Sequence, residues 1–393
     1  MDIPEDLGDR IERLAGCLGE RGYLYSAGWR AALREVPRHL FVPERTWVVP
    51  DTFTAISYGI DREADPARWW DAVYSDSVIV TQSEDGKGDP ATGEGNWTSS
   101  LSAPGIVFAF LELLDVRDHH RVLEIGTGSG WTAALLSHRV GARNVTSIEI
   151  DPEMAEQARS NLAAAGVRPH LVLGDGAAGC PDRAPYDRVH VTCGVRDIPR
   201  AWIAQARPGG VIVLPWMPGV ARGQQTRLIA VGDGTAIGRF TGQAGYMMLR
   251  AQRFPEVRVD AAGDAPRTTT CLDPRTIAGA SAGAAVAIAA WLPDVVSAAV
   301  EKDDGTFELR LRARHGSAWA AVAYAPGGDD FAVRQSGDRR LWEEAAGAYL
   351  WWVRAGCPGS DRFGMTVDTD RQMIWLDDPG NPVGPGAASA GPS

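Results

Sequence analysis

A chain of 393 residues is longer than most single domains, so we expect two domains, and 45% hydrophobic residues suffice for a sizeable core. The net charge of -11, without any run of Lys and Arg, argues against a nucleic-acid partner or an anionic membrane surface. Five scattered cysteines, none spaced as Cys-x-x-Cys, indicate neither a metal site nor a disulfide framework and fit a cytoplasmic protein. The charged N-terminus does not read as a signal peptide, and Pro293 interrupts the most apolar stretch, Gly279 to Val300, where we expect buried core elements instead of a membrane span.

The N-terminal part, to about residue 115, is predicted to be mainly helical. Apolar residues recur at intervals of three and four from Glu5 to Leu33, and two prolines in "VPRHLFVPE" end this pattern. Val73 to Gln82 is rich in β-branched residues, which favour a strand. Ser83 to Asn96 is polar and glycine-rich, which predicts a loop that is either a lid or disordered. Leu101 to Leu114 is helical again.

From Val122 onward, strand-like and helix-like segments alternate. These segments are Val122–Ile125, Trp131–Val140, Val145–Ile150, Pro152–Ala165, His170–Leu173, Arg188–Thr192, Pro199–Ala206 and Val211–Pro215. Such alternation predicts an α/β fold of the Rossmann-like kind, with a parallel sheet and helices on both faces.

The character of the sequence changes after Arg253. "TFELRLRARHGSAWAAVAY" and "FGMTVDTDRQMIWLD" each predict a hairpin, and Arg339 to Arg354 has a Trp-rich helical period. We therefore predict a first domain over residues 1–253, with its sheet from about 116, and a smaller strand-rich α+β domain over 254–382. The low-complexity end, residues 383–393, is expected to be a disordered tail.

The stretch "VLEIGTGSGW" places three glycines directly after the first predicted strand of the sheet. Glycines there allow a tight turn and let a ligand approach bare backbone. The turn ends in Gly130-Trp131 and so lacks the Gly-Lys-Ser/Thr of a triphosphate-binding loop, and it departs from Gly-x-Gly-x-x-Gly. Glu124, two residues before the first glycine, would repel a pyrophosphate and suits a ligand with a positive centre, such as S-adenosylmethionine. Glu149 closes the next strand, where an acid can accept from both ribose hydroxyls.

Several motifs together resemble the protein L-isoaspartate O-methyltransferases. They are "VLEIGTGSGWTAAL", "SIEIDPEMAEQARSNL", "VLGDGAAGCPDRAPYDRVHVT" and "IPRAWIAQARPGGVIVLP", with "VPRHLFVP", "AVYSD" and "LSAP" upstream. The resemblance runs from about Val36 to Arg253. It implies S-adenosylmethionine as cofactor, with the methionine part around Glu124, Gly126, Thr127, Gly128 and Gly130, the ribose at Glu149 and Ile150, and adenine beside Asp175 and Gly176.

The same resemblance implies that Ser102, in "LSAP", lies at the methyl-transfer site. Four further residues are candidates for substrate binding: Tyr74, Asp76, Ser100 and Thr192. The sequence departs from the family at Gly105, where relatives often have His, and at Arg250, where some have Thr. Both departures affect the substrate end of the predicted site and leave its cofactor end unchanged.

Structural roles remain open for several of these residues. Ser102 could cap the helix that starts at Pro104, Glu124 could be a buried structural acid, and Asp175 could form a turn before Gly176. His190 is expected to be a packed core histidine, and Cys193 has no visible thiolate-stabilising partner. The Trp351-Trp352 pair fits either core packing or a peptide platform.

The C-terminal half suggests the substrate. Its ending, "LWWVRAG…DRFGMTVD…IWLD", resembles extended relatives that tailor ribosomal peptides of the lanthipeptide and graspetide type. That resemblance implies methylation of an ordinary aspartate in a cyclised precursor peptide, giving an aspartimide (succinimide) or isoaspartate. Repair of isoaspartyl residues, a catalytically silent peptide-binding partner and a small-molecule carboxyl methyltransferase are the alternatives. The sequence does not indicate an oligomeric state.

Overall fold

The computed structural model describes residues 3–50, 56–254, 257 and 265–385. The chain divides into two compact units. The first comprises Met1–Cys193, Pro199–Leu214 and Ile229–Gly234, and the second comprises Gly194–Ile198, Pro215–Leu228 and Thr235–Ser393. Of the tail predicted at 383–393, residues 386–393 lie outside the described part of the chain.

The helices and strands follow one another in chain order as two series. Up to residue 216 they are α1 (Leu7–Glu20), α2 (Ala27–Glu35), β1 (Arg45–Pro50), β2 (Tyr58–Asp61), α3 (Pro66–Val73), β3 (Ser77–Ser83), β4 (Trp97–Leu101), α4 (Pro104–Leu114), β5 (Val122–Ile125), α5 (Trp131–Val140), β6 (Val145–Glu149), α6 (Pro152–Ala164), β7 (His170–Leu173), β8 (Tyr186–Val191), α7 (Arg200–Gln205) and β9 (Ala206–Trp216). Beyond it they are β10 (Gln224–Ala230), β11 (Ala236–Gln243), β12 (Arg267–Thr270), α8 (Pro274–Ala278), α9 (Ala282–Trp291), β13 (Val295–Glu301), β14 (Phe307–Ala313), β15 (Trp319–Tyr324), β16 (Phe331–Ser336), α10 (Leu341–Arg354), β17 (Phe363–Val367) and β18 (Gln372–Leu376).

The first unit is built on parallel strands in the order β9-β8-β5-β6-β7. Its central strands β5 and β8 are buried along their whole length, as expected for a parallel sheet covered on both faces. The α/β class predicted from the alternating segments is confirmed, and the predicted bounds of β5, α5 and β7 agree with the structure. Because β5 and β6 are parallel neighbours, their carboxyl ends place the glycine turn and Glu149 at the same edge of the sheet.

A second, antiparallel sheet of the first unit has the order β2-β1-β3-β4. The strand expected from Val73 begins only at Ser77, because the preceding residues form α3, which Asp65 caps by accepting a hydrogen bond from the Arg68 N–H at 3.0 Å. Burial of Trp69 and Trp70 on this helix outweighs the strand preference of the β-branched residues nearby.

The segment predicted as a lid or a disordered loop joins β3 to β4 and contains two short 3₁₀ turns. Its ends are tied together, since Glu84 N donates to the Asn96 carbonyl at 2.8 Å and Asn96 N donates to the Glu84 carboxylate at 2.6 Å. The segment is therefore a structured hairpin connection.

The second unit is mainly antiparallel. One set of its strands has the order β18-β17-β11-β10, and a five-stranded sheet has the order β12-β16-β15-β14-β13. Both predicted hairpins are confirmed as β14–β15 and β17–β18, and the apolar stretch from Gly279 forms α9 and β13, with α9 buried against α10. Within the described residues, no helix has the length and apolarity that a membrane crossing requires. The five cysteines are free thiols.

Candidate functional site

The glycine turn after β5 has the backbone conformation that its sequence predicts. Gly126, Gly128 and Gly130 have φ angles of 92°, 55° and 96°, in the region that side chains disfavour. The N–H groups of Gly126 and Thr127 donate to the Ile148 carbonyl at 2.9 and 3.2 Å, which ties the turn to β6. A Cβ on Gly126 would lie 2.6 Å from the Thr192 hydroxyl, whereas one on Gly128 would meet nothing closer than 3.7 Å. The turn therefore exposes bare backbone at Gly128.

Glu149 lies beside the turn at the end of β6. Its Oε1 accepts hydrogen bonds from the N–H groups of Ile150 at 2.9 Å and Asp151 at 3.0 Å, and its Oε2 accepts from Gly128 N at 2.9 Å. An ionised carboxylate has about four acceptor positions, so one position on Oε2 stays available for a ligand hydroxyl. The same side chain thus shapes the turn and can bind the ribose.

Asp175 and Gly176 follow β7 at the same edge of the sheet. Asp175 accepts from Ala177 N at 2.9 Å, so the turn-forming role left open by the sequence is present, and its side chain is exposed. A Cβ on Gly176 would lie 2.6 Å from the Ile125 side chain, so only glycine fits there. Its carbonyl accepts from Trp202 Nε1 at 2.8 Å, which fixes the loop where the adenine is expected.

Glu124 lies beneath the turn with no exposed surface. Its Oε2 accepts from the Ser147 hydroxyl, which in turn lies 2.6 Å from the Thr127 hydroxyl. Burial raises the pKa of Glu124 to about 8, and the Glu149 charge adds to this shift. The carboxyl group is therefore mainly neutral at pH 7, and a contact with the methionine part of the cofactor stays a prediction.

Ser102 lies between β4 and α4 and does not cap the helix. The N-cap of α4 is Ala103, and the N–H of Gly105 donates at 2.6 Å to Asp76, so the capping alternative for Ser102 is wrong. The Ser102 hydroxyl makes no hydrogen bond to any residue that the structure describes. A ligand could therefore take it as a donor without breaking an existing bond.

Arg38 holds the backbone of Ser102 in place, a role that the sequence analysis did not identify. This guanidinium is fully buried and donates through Nη2 to the carbonyls of Ser102 at 3.0 Å and Ser77 at 2.8 Å. Nη1 donates to the carbonyls of Val73 at 2.8 Å and Ser75 at 3.4 Å. Burial lowers the pKa of Arg38 to about 9, so the group is still charged at pH 7. The signal was present in "VPRHLFVP", where a charged residue stands among apolar residues and prolines.

Tyr74 and Asp76 both have structural partners. The Tyr74 hydroxyl lies 2.8 Å from His39 Nδ1, its ring stacks on Trp70, and burial raises its pKa. Asp76 accepts from Gly105 N and forms an ion pair with Arg21. A Cβ on Gly105 would lie 2.6 Å from an Asp76 carboxylate oxygen, so a side chain at this position would displace Asp76. Substrate binding by Tyr74 and Asp76 stays a prediction.

Ser100 and Thr192 lie close to the turn. The Ser100 carbonyl is 3.9 Å from the position of a Cβ on Gly128, so β4 passes beside the exposed backbone. The Thr192 hydroxyl donates to the Ile125 carbonyl at 2.9 Å and also contacts the Gly126 carbonyl, and it thereby clamps the turn from β8. Cys193, next to it, has its pKa raised to about 12 by burial, which makes it a poor nucleophile.

The arrangement fits S-adenosylmethionine. The carboxyl edge of the parallel sheet combines bare backbone at Gly128, an acceptor on Glu149 and a close-approach glycine at Gly176. These are the positions where the family resemblance predicts methionine, ribose and adenine. Among the described residues, no group of three His, Cys, Asp or Glu could hold a metal ion. Fold and site together define an S-adenosylmethionine-dependent methyltransferase.

The comparisons with known proteins give the family. The family model "Protein-L-isoaspartate(D-aspartate) O-methyltransferase (PCMT)" matches residues 10–249. The chain is 36% identical over 219 residues to Protein-L-isoaspartate O-methyltransferase 1 of Archaeoglobus fulgidus, covering 55% of this chain and 81% of the relative. It is 39% identical over 189 residues to Protein-L-isoaspartate O-methyltransferase of Methanoculleus marisnigri, covering 48% and 68%. The chain belongs to the protein-L-isoaspartate(D-aspartate) O-methyltransferase family and is a carboxyl O-methyltransferase.

A solved structure named protein-L-isoaspartate O-methyltransferase has the same fold. It aligns with a TM-score of 0.54 at 21% identity, over 94% of this chain and 100% of its own. The alignment therefore extends beyond the residues that the family model matches.

Proposed function

We propose that this enzyme methyl-esterifies an aspartate side chain in a cyclised ribosomal peptide, and that the ester leads through a succinimide (aspartimide) to isoaspartate. The observation that carries the proposal is the Ser102 hydroxyl, which has no hydrogen-bond partner among the described residues and follows Ser100, the residue beside Gly128. A carboxylate that accepts from Ser102 would lie near the exposed backbone of the turn.

Methyl transfer requires mainly that the protein orient the substrate carboxylate towards the methyl group. S-adenosylmethionine supplies a methyl group on a sulfonium; a carboxylate oxygen forms the new C–O bond as the S–C bond breaks, so no proton is transferred. Holding the carboxylate in line can provide up to ~7–11 kcal/mol of the barrier reduction in well-oriented cases. Ser102 donates to the carboxylate as a positioning group. The next backbone amide nitrogen of the peptide then displaces methanol and closes the succinimide, which water can open.

The choice of a cyclised peptide rests on the C-terminal half. Residues 250–393 lie beyond the family match, and they include α10, β17 and β18, whose sequences resemble the peptide-tailoring relatives. A ring that presents one aspartate needs more recognition surface than a flexible isoaspartyl segment, and the second unit can supply such surface.

Isoaspartyl repair is the second candidate, and one observation favours it. The solved structure with the isoaspartyl name aligns over 94% of this chain, so most of the second unit also has a counterpart there. A C-terminal extension alone therefore does not separate the two substrates.

Mass spectrometry of the full-length enzyme with S-adenosylmethionine distinguishes these candidates. The substrates are a side-chain-cyclised peptide with one ring aspartate, its uncyclised form and a linear isoaspartyl peptide. Methylation, or loss of water from aspartate, on the cyclised peptide alone supports the proposal. Turnover only on the isoaspartyl peptide establishes repair. A single methyl per enzyme molecule without further product indicates a binding partner that lacks turnover.

A further inference from the structure

His190 is a buried histidine that the reaction described above does not use. It lies on β8, its side chain is 3% exposed, and neither ring nitrogen has a hydrogen-bond partner among the described residues. Phe110 of α4 meets the ring edge-on at 6.3 Å, and the residue opposite on β9 is Val213. Two unsatisfied ring nitrogens in the core are costly, and such groups call for a specific explanation.

The residue next to His190 across the sheet is Glu124. Strand pairing places Ser147, Glu124 and His190 at one level of β6, β5 and β8. Glu124 Oε1 is also without a partner, and it lies 4.0 Å from His190 Nδ1. That separation is longer than a hydrogen bond, so the carboxyl group and the ring must rotate towards each other for one to form. Polar atoms thus run in a line from Thr127 in the turn, through Ser147 and Glu124, to His190.

The charges in this line are set by burial. Desolvation raises the pKa of Glu124 to about 8 and lowers that of His190 to about 3, so both groups are neutral at pH 7. Glu149 is the charged group that acts on Glu124, and the residues facing His190 from α4 and β9 are apolar. A neutral carboxylic acid has one O–H donor, and a neutral imidazole has one acceptor nitrogen.

The position of the carboxyl proton decides the direction of every bond in the line. If Oε1 carries the proton and donates to His190 Nδ1, then Oε2 accepts from Ser147, and Ser147 accepts from Thr127. The Thr127 oxygen then keeps its lone pairs for the ligand. If Oε2 carries the proton, all the bonds reverse, and Thr127 points a donor hydrogen at the turn. A cationic ligand favours the first arrangement.

We propose that His190 is a positioning residue that fixes this hydrogen-bond direction, so that the turn presents an acceptor oxygen to the positively charged part of the cofactor. The inference rests on cofactor binding at the turn and is independent of the peptide substrate. An ionised Glu124 imposes the same direction without help, since both of its oxygens accept. His190 therefore matters only while Glu124 is protonated.

The test measures the dissociation constant of S-adenosylmethionine, without peptide, for His190→Leu and His190→Asn across pH 6.5 to 9.5. Asparagine can place an acceptor oxygen where Nδ1 stands, and leucine cannot. We expect His190→Leu to bind about tenfold more weakly at pH 7 and to recover above about pH 8, as Glu124 ionises, while His190→Asn stays close to wild type. Methylthioadenosine, which lacks both positive centres, should bind all three proteins equally.

Two results would overturn the inference. One is an equal loss at every pH or with methylthioadenosine, which would mean general damage to the fold. The other is a ¹⁵N NMR spectrum showing His190 protonated on Nδ1 at pH 7, since that nitrogen could not accept. If the wild-type protein itself binds no S-adenosylmethionine, the cofactor assignment fails instead.

Discussion

Ser102 is the residue at which the proposed chemistry can be tested most directly. Its hydroxyl has no partner among the described residues, so Ser102→Ala should leave the free energy of unfolding nearly unchanged. Loss of a hydrogen bond to a carboxylate should cost roughly 1.5–3 kcal/mol, which lowers kcat/KM for the peptide about 10–100-fold. The cofactor dissociation constant should not change. Rates come from mass-spectrometric time courses, with Ser160→Ala, an exposed position on α6, as the control. Full activity of Ser102→Ala would remove the positioning role.

Arg38 should be required for both stability and catalysis, because its two terminal nitrogens donate to four backbone carbonyls. Arg38→Lys keeps the charge but cannot reach all four, and we expect unfolding to become easier by roughly 2–4 kcal/mol. At a temperature where the variant is folded, kcat should fall while cofactor affinity is retained. The control is Arg34→Lys, which alters an exposed ion pair with Glu12 and should change stability by less than ~1 kcal/mol. Equal effects of the two substitutions would contradict this assignment.

Glu124 should make stability depend on pH. Its pKa is about 8 in the folded protein, against an ordinary value of 4.5, so between these values the folded state holds a proton that the unfolded chain has released. Stability contributed by this group is therefore lost as the pH rises through 8. Relative to Glu124→Gln, the wild type should lose at least ~1.4 kcal/mol, the equivalent of one pKa unit, between pH 5 and 8.5. Urea unfolding at a series of pH values measures the difference, since His190 is common to both proteins. Parallel curves of unfolding free energy against pH for the two proteins would show that Glu124 is ionised in the folded protein.

At the scale of elements, the start of α4 leaves no room for a side chain at Gly105. The Asp76 carboxylate binds the N–H of Gly105, and a Cβ there would come within 2.6 Å of that carboxylate. Alanine has the better helix propensity by about 1 kcal/mol, but the overlap should cost more, so Gly105→Ala is expected to destabilise by roughly 1–2 kcal/mol. Gly16→Ala on α1 meets nothing within 4 Å and should be neutral or stabilising. Thermal unfolding of both variants gives the comparison, and equal shifts would mean that α4 moves to make room.

Some of the helices, strands and contacts could be predicted from the sequence, and others could not. The bounds of β5 and α5 were predictable because a fully buried strand and a helix between Gly130 and Gly141 leave local signals, and the glycine turn was predictable because each of its positive φ angles requires glycine. The bounds of β7 also agree, although this strand is partly exposed. The helix α3 was missed, since its stability comes from burying Trp69 and Trp70 against distant parts of the chain. The contacts of Arg38 with Ser102, and of Asp76 with Gly105, join residues far apart in sequence. No local pattern encodes such pairs.

For the whole molecule, the question is whether the second unit takes part in substrate recognition. Every predicted cofactor residue lies in the first unit, so S-adenosylhomocysteine should slow amide hydrogen exchange there, chiefly at Val122–Gly130, Glu149–Asp151 and Asp175–Ala178. At a concentration of 100 times its dissociation constant, it should stabilise the folded state by ~2.7 kcal/mol. A cyclised aspartyl peptide added to this complex should then protect further segments in the second unit, whereas a linear isoaspartyl peptide should not. Amide hydrogen exchange measured by mass spectrometry, with the uncyclised peptide as control, shows whether the second unit takes part in substrate recognition. Protection confined to the first unit with the cyclised peptide would separate the extension from substrate choice and favour isoaspartyl repair.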